Sequence, residues 1–231
     1  MILLALECSA ELSSAAVWKD SEILSHQIVE SKFGHAERII TQVEKAVKQA
    51  SIDFSQIDFF VGGRGPGSFT GIRTCLSAIT GFSIASDKAF YGVNCLSALA
   101  FANYSKIKKN YNCDHKMKIF AILDTRRGSF YFQEFDKEFT PCDNIYDFSL
   151  EQLQKKINIV AKSDHFINVC GPFSEYFWHK NVETEKFFPV KYESLILDAT
   201  HIANYAAWQL ESNIPFSPAT PLYLAPAKIF K

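Results

Sequence analysis

The residues best suited to chemistry lie between Gly62 and Arg73, a stretch that reads GGRGPGSFTGIR and holds five of the ten glycines in the chain. A glycine-rich turn between a strand and a helix can bind phosphate, bind a dinucleotide or expose a catalytic serine. None of these templates fits. The stretch contains no P-loop lysine, the spacing G-x-G-x-x-G ends on Ser68 or Thr70, and Ser68 lacks the flanking glycines of a nucleophile elbow.

We therefore predict that this stretch is a tight turn that lets a helix pack closely against a strand. The hydroxyls of Ser68 and Thr70 would satisfy backbone N–H groups in the first turn of that helix. Binding of an anion by the same N–H groups is the weaker alternative. The motif consists of Gly65, Pro66, Gly67, Ser68, Thr70 and Arg73.

Two acidic residues follow similar apolar runs at separate places in the chain. Glu7 follows residues 2–6, Asp124 follows residues 119–123, and each is succeeded by a turn and another strand. This similarity predicts a degenerate repeat with two similar lobes. Phosphate transfer in such a protein needs acidic residues from both lobes to hold Mg²⁺, and only Glu7 and Asp124 present themselves.

Two arginines next to Asp124 are further candidates for binding. Arg126 and Arg127, together with Glu7 and Asp124, could contact a nucleotide or RNA. A turn between two strands is also a common place for solvated charge, and that alternative stays open.

Metal-binding patterns are missing from the sequence. His35 has no second histidine at the four-residue spacing that lets two imidazoles share one ion, and the six cysteines contain no C-x-x-C pair. We expect no metal site and no disulfide.

The charges nearly cancel, with 24 basic and 25 acidic residues, so no net field attracts nucleic acid or membrane. No basic residue precedes Lys19, and no apolar run reaches the length of about 18 residues that spans a membrane. We expect a cytoplasmic protein without membrane contact, and any contact with nucleic acid would be local or through a partner.

Hydrophobic patterning predicts an α/β protein. The predicted strands are residues 2–6, 12–19, 22–30, 57–61, 89–93, 119–125, 129–136, 139–140 and 165–170, and the predicted helices are 35–50, 68–86, 95–104, 149–157 and 198–211, with a short helix after Pro172. A lysine-rich connection at 105–118 separates a first lobe, 1–104, from a smaller second lobe, 105–231. The helix within 198–214 should pack near the lobe junction, and the Pro-rich tail from residue 215 should lie on the surface.

The helix after the glycine turn has apolar residues on two faces. Its bulky stripe, Phe69, Ile72, Leu76 and Ile79, should pack on the sheet of the first lobe. A monomer rarely leaves a second apolar stripe exposed, so we predict that this stripe binds a partner protein or a second copy, together with the neighbouring helix at 35–50. The predicted interface residues are Gly71, Cys75, Ala78, Gly81, Phe82, Ala85, His35 and Ile39.

Five motifs, in the same order along the chain, resemble those of the TsaB (YeaZ) family, which has the two-lobed actin/Hsp70-like (ASKHA, ribonuclease H-like) fold with a degenerate second lobe. The glycine stretch is similar to the family signature G-x-GPGSFTG-L-R. The other matches are the opening ILLALECS, the helix start HAERII, the run LDTRRGSFY and the late PLYLA. Glu7 stands where the family usually has aspartate, and Ala225 stands where it usually has arginine.

The resemblance implies a noncatalytic scaffold in the synthesis of N6-threonylcarbamoyladenosine on transfer RNA. In that family TsaB pairs with the transferase TsaD, and TsaE is an associated ATPase. The resemblance implies no cofactor for the isolated chain, with ATP or ADP bound only in a complex, and only indirect contact with tRNA. The rival functions are a weak actin-like ATPase, a glycoprotease-like hydrolase and a homodimeric binding module.

Overall fold

The protein is described by a computed structural model that covers residues 1–10, 12–30, 35–110, 116–163, 165–172, 174 and 196–224. These ranges contain nine strands and five helices longer than one turn. In chain order they are β1 (Ile2–Glu7), β2 (Leu12–Lys19), β3 (Glu22–Glu30), α1 (His35–Gln49), β4 (Phe59–Gly63), α2 (Phe69–Ser86), β5 (Ala89–Val93), α3 (Cys95–Asn110), β6 (Met117–Asp124), β7 (Ser129–Asp136), β8 (Tyr146–Ser149), α4 (Leu150–Ala161), β9 (Phe166–Cys170) and α5 (Ala199–Glu211).

The chain divides into two compact units, one of residues 1–98 and 197–231 and the other of residues 99–196. This division differs from the predicted lobes, 1–104 and 105–231, because α5 packs on the first sheet and returns the end of the chain to the first unit. The other boundary falls within α3, which continues beyond the predicted end at Tyr104 to Asn110. Part of the expected connection at 105–118 is therefore helical.

The first unit contains a five-stranded sheet in the order β3-β2-β1-β4-β5. β1, β2 and β3 form an antiparallel meander, whereas β4 pairs in parallel with β1 and β5. Every residue of β1 is buried, as a strand covered on both faces requires. The carboxyl ends of the parallel strands therefore meet at one edge of the sheet, where the glycine turn follows β4.

Helices cover both faces of the first sheet. One face packs against α1 and α2 around Leu4, Leu6, Phe60 and Ile72. The side chain of Ser14 in β2 points to the opposite face of the sheet, because successive side chains of a strand alternate between the two faces. On that face, the Ser14 Oγ accepts a hydrogen bond of 2.8 Å from the N–H of Ala199 at the start of α5.

The second unit contains a four-stranded sheet in the order β8-β7-β6-β9. Its core lies between this sheet and α4, around Phe120, Phe132, Leu153 and Ile167. The predicted strand at 139–140 is wrong. Phe139 lies in a turn with φ of 64°, and the next strand along the chain is β8, which pairs with β7 on the side away from β6.

The other predicted elements are found within a few residues of their expected bounds. The predicted helix after Pro172 falls largely outside the described residues. Within the described ranges, none of the helices combines the length and the apolar character needed to cross a membrane.

Candidate functional site

The glycine turn is built as the sequence predicts, by close packing of the start of α2 against the end of β1. The Ser68 N–H donates to the Ser9 carbonyl at 2.7 Å, and the Ser68 hydroxyl accepts from the Gly71 N–H at 3.2 Å. A Cβ at Gly71 would collide with the Cys8 carbonyl, so only glycine lets α2 approach this closely. Ser68 is the N-cap of α2, as predicted, whereas Thr70 is exposed on the surface of the helix.

Residues 216–222 of the tail pack beside this turn and bond to it, and the sequence did not predict these contacts. The Leu222 N–H donates to the Arg64 carbonyl at 2.8 Å, and the Ser217 carbonyl accepts from the Gly92 N–H at 3.0 Å. Phe216 stacks on Tyr91 with ring centroids 4.5 Å apart. The late motif PLYLA, which contains Leu222, marked this part of the tail in the sequence but did not show what it contacts. Ala225 of the late motif lies outside the described residues.

Glu7 is enclosed at the carboxyl end of β1. It is fully buried, and its carboxylate accepts hydrogen bonds from the N–H and hydroxyl of Ser9 and, at 3.4 Å, from the thiol of Cys95. Burial raises the pKa of the Glu7 carboxyl, although the hydrogen bonds from Ser9 and Cys95 oppose the shift. This geometry corrects the expectation that Glu7 could contact a nucleotide or RNA, because the carboxylate is surrounded by the chain itself.

The residues predicted around Asp124 form the turn between β6 and β7. The Asp124 carboxylate accepts from the Arg126 N–H at 2.7 Å. Arg127 donates to the Tyr131 hydroxyl at 3.0 Å and lies 3.6 Å from the carboxylate of Asp147. Arg126 is exposed. Asp124 and Arg127 therefore hold the turn together, and both Arg126 and Arg127 are exposed to solvent.

The predicted interface stripe of α2 separates into buried and exposed residues. Cys75 is fully buried, Gly71 packs on Cys8, and Phe82 lies against Phe54 with ring centroids 5.4 Å apart. At about 100° per residue Cys75 lies only about 60° from Ile72, inside the arc that faces the sheet. Gly71 and Cys75 are thus corrected from interface to core.

The rest of the stripe lies at the surface of α2. Ala78 is half-buried, whereas Gly81 and Ala85 are exposed, and no atom lies within 4 Å of a Cβ built at Gly81. Ile84, which the sequence analysis did not single out, is 79% exposed and is the largest apolar side chain of this face. Its exposure could have been expected, because at about 100° per residue it lies on the side of the helix opposite the buried Cys75.

A groove of about 540 Å³ separates α1 from α2. Ile40 of α1 is 44% exposed beside it, whereas the predicted interface residue Ile39 is almost fully buried. The side chain of His35 lies outside the described residues. The groove is lined by Ile39, Ile40, Phe69, Thr70, Arg73, Thr74, Ser77 and Ala78. A shallow, mostly apolar groove between two helices suits an amphipathic helix of another chain.

Comparison with known proteins agrees with this fold and these motifs. A family model described as TsaD: tRNA N6-adenosine threonylcarbamoyltransferase matches residues 22–182. The tRNA threonylcarbamoyladenosine biosynthesis protein TsaB of Escherichia coli (strain K12) is 26% identical over 138 residues, or 60% of this chain and 56% of that protein. The chain thus spans little more than half the length of this relative.

A solved structure of YeaZ from Pseudomonas aeruginosa is similar over 96% of this chain and 99% of its own, with a TM-score of 0.69 and 20% identity. This likeness confirms the predicted fold class, a two-lobed α/β protein with a smaller second sheet. The matched model covers well over half of the sequence. The chain therefore belongs to the family described as TsaD: tRNA N6-adenosine threonylcarbamoyltransferase, and its predicted resemblance to the TsaB (YeaZ) proteins is confirmed.

Proposed function

We propose that this chain is a noncatalytic scaffold subunit in the synthesis of N6-threonylcarbamoyladenosine on tRNA, and that it binds a TsaD-like transferase through the exposed face of α1 and α2. The observation that carries the proposal is this face itself, where Ile40 and Ile84 are exposed beside Ala78 and Gly81. The name of the Escherichia coli relative supports the pathway. The exposed apolar face supports a partner, because isolated monomers rarely present one.

The enclosed Glu7 supports a noncatalytic role. The carboxyl end of β1 is the place where an open α/β sheet binds ligands, and here it is filled by a carboxylate bonded to Ser9 and Cys95. A nucleotide would therefore bind, if at all, only where the partner adds residues to the site. The proposal accordingly assigns ATP or ADP to the complex, with a TsaE-like ATPase and tRNA recruited through the partner, in the cytoplasm.

Reconstitution of tRNA modification tests the proposal. The purified chain, the TsaD-like transferase and the TsaE-like ATPase of the same organism are combined with tRNA, ATP and an activated threonylcarbamoyl donor, and each protein is omitted in turn. A strict requirement for this chain together with the transferase is expected. Modification by the chain alone would support the enzyme alternative, and full modification without the chain would contradict the proposal.

A matched pair of substitutions tests the interface. Ile84→Glu places a charge on the exposed face of α2, whereas Ile159→Glu places the same charge on α4, where Ile159 is 59% exposed. Loss of the complex in gel filtration is expected for Ile84→Glu alone, with unchanged circular dichroism for both variants. Equal assembly of both variants would contradict the proposed face.

A homodimer through the same helices is the second candidate, because Gly81 and Ala85 permit close approach of identical helices. Light scattering of the isolated chain tests this candidate by measuring its molecular mass. If the chain is a dimer and Ile84→Glu dissociates it, the face pairs with itself when the transferase is absent. Dimer and heterodimer would then compete for one surface.

A further inference from the structure

Arg73 lies at the side of the groove between α1 and α2 and is held there by two aromatic rings. Its guanidinium carbon is 3.8 Å from the centroid of the Phe69 ring, and its Nε donates to the Tyr223 hydroxyl at 3.0 Å. The Phe69 and Tyr223 rings stack with centroids 5.0 Å apart. The three side chains therefore fix one another, and the orientation of Arg73 is set before any partner binds.

Arg73 is also the charged side chain of the groove. Among the described residues that line the groove, the others are apolar or carry hydroxyls. Within the described ranges no carboxylate lies within ion-pair distance of Arg73, and its side chain is exposed. Only the Nε–H is used by Tyr223, so the N–H groups of both terminal nitrogens remain available for a planar, bidentate partner.

Tyr223 is itself fixed by the backbone around it. The preceding residue, Leu222, donates its N–H to the Arg64 carbonyl in the glycine turn at 2.8 Å. The tail thus enters beside the start of α2 in one register, and the hydroxyl of Tyr223 arrives at the Nε of Arg73. The contact joins residues 150 positions apart in the sequence.

We propose that Arg73 determines specificity for the partner by pairing with a carboxylate on a helix that lies in the groove, and that Tyr223 is the positioning residue for Arg73. A carboxylate there meets a cation whose side-chain freedom is already restricted, so little further entropy is lost on binding. A partner helix without the carboxylate would bury the guanidinium without an ionic partner. The inference rests on the proposed function, since the occupant of the groove is the TsaD-like transferase.

The experiment is a double-mutant cycle on the affinity of the full chain for the purified transferase. Arg73→Ala is expected to weaken binding about 30-fold, in the range of other desolvated charge pairs. Tyr223→Phe keeps the ring stack and removes the hydroxyl that accepts from Arg73, and it should weaken binding about 5-fold. In the Arg73→Ala background Tyr223→Phe should have no further effect, because Tyr223 acts through Arg73.

Salt dependence separates an ionic contact from a structural one. The affinity of the unmodified chain should fall more steeply with NaCl concentration than that of Arg73→Ala, since only the former contains the ion pair. Equal salt slopes, or an equal effect of Tyr223→Phe in both backgrounds, would overturn the proposal. If Ile84→Glu abolishes binding while Arg73→Ala does not weaken it, this inference fails and the proposed function stands. If the unmodified chain does not bind the transferase, both fail.

Discussion

The carboxyl group of Glu7 occupies the space beside the Cα of Gly63, where any larger residue would place its Cβ. The two residues end the parallel neighbours β1 and β4, whose register pairs Leu6 with Gly62. Gly63 therefore makes room for a buried acid at the ligand-binding edge of the sheet. The enclosure of this edge depends on that pair.

Substitution of Gly63 by alanine should destabilise the first unit. The added Cβ would collide with the Glu7 carboxylate and lie 3.2 Å from the Cys95 sulfur, so buried groups would have to move. We expect the free energy of unfolding in urea to fall by about 2–3 kcal/mol. Gly81→Ala is the matched control. It adds the same methyl group in open space on α2 and should raise the free energy of unfolding by about 0.5–1 kcal/mol. Equal effects of the two variants would contradict the packing described.

Glu7 should also make stability depend on pH. Burial raises the pKa of Glu7 above its ordinary value of 4.5, so the native protein holds the proton more tightly than the unfolded chain does. Its contribution to the free energy of unfolding is complete below the ordinary pKa and is lost as the pH rises through the folded pKa. Glu7→Gln removes this titration. Urea titrations at several pH values should show the variant gaining stability relative to the unmodified chain as the pH rises from 4.5. A difference independent of pH would contradict the assignment.

Local patterns predicted eight of the nine described strands and the five described helices of this fold, but they missed β8. β2, β3, β5 and β7 have the predicted bounds, because each is rich in apolar, aromatic or β-branched residues and is flanked by residues that favour turns. The strand predicted at Phe139 is absent, although an aromatic side chain favours a strand locally. Here the residue instead packs its ring against Phe135 at 5.0 Å from within a turn.

The candidate site was less predictable, because contacts distant in sequence decide it. Gly71 and Cys75 look like surface residues suited to helix contact, but the turn after β1 brings Cys8 against them. The contact of Tyr223 with Arg73 has no local pattern at all. A small residue allows another segment to pack closely against it, but the sequence does not show which segment that is. The tertiary fold determines the neighbour.

Asp198 should stabilise α5 in a manner that is lost in acid. Its carboxylate accepts from the N–H groups of Thr200 at 2.8 Å and His201 at 3.3 Å. Burial alone raises the pKa of Asp198, but His201, Thr200 and His26 together hold it well below its ordinary value of 3.8. The contribution is therefore complete above that value and is lost as the pH falls through the folded pKa. Asp198→Ala should lower the free energy of unfolding at neutral pH by about 1–2 kcal/mol.

Two controls separate the cap from the charge. Asp198→Asn keeps an acceptor for the N–H groups at the start of the helix. It should therefore remove only the part of the free energy of unfolding that is lost in acid, as measured by urea unfolding between neutral and acid pH. Ser149→Ala deletes the uncharged cap of α4, where the hydroxyl accepts from the Gln152 N–H at 3.2 Å. Its cost should be about 1 kcal/mol at every pH. This account would be contradicted if the stability cost of Ser149→Ala depended on pH. It would also be contradicted if the unmodified chain lost no more stability in acid than Asp198→Asn does.

Glu134 should contribute strongly to the stability of the second unit. It is 6% exposed on β7, and its carboxylate lies 2.8 Å from the Lys156 ammonium and 3.1 Å from that of Lys118. Glu134→Ala leaves both lysines without this acceptor, and we expect a loss of about 3 kcal/mol in the free energy of unfolding. Glu138→Ala is the matched control, because the Glu138 side chain is 73% exposed and 3.9 Å from Lys137. An exposed pair of this kind contributes about 0–1 kcal/mol. Similar losses in both variants would mean that the Glu134 pairs are screened by water as fully as the surface pair is.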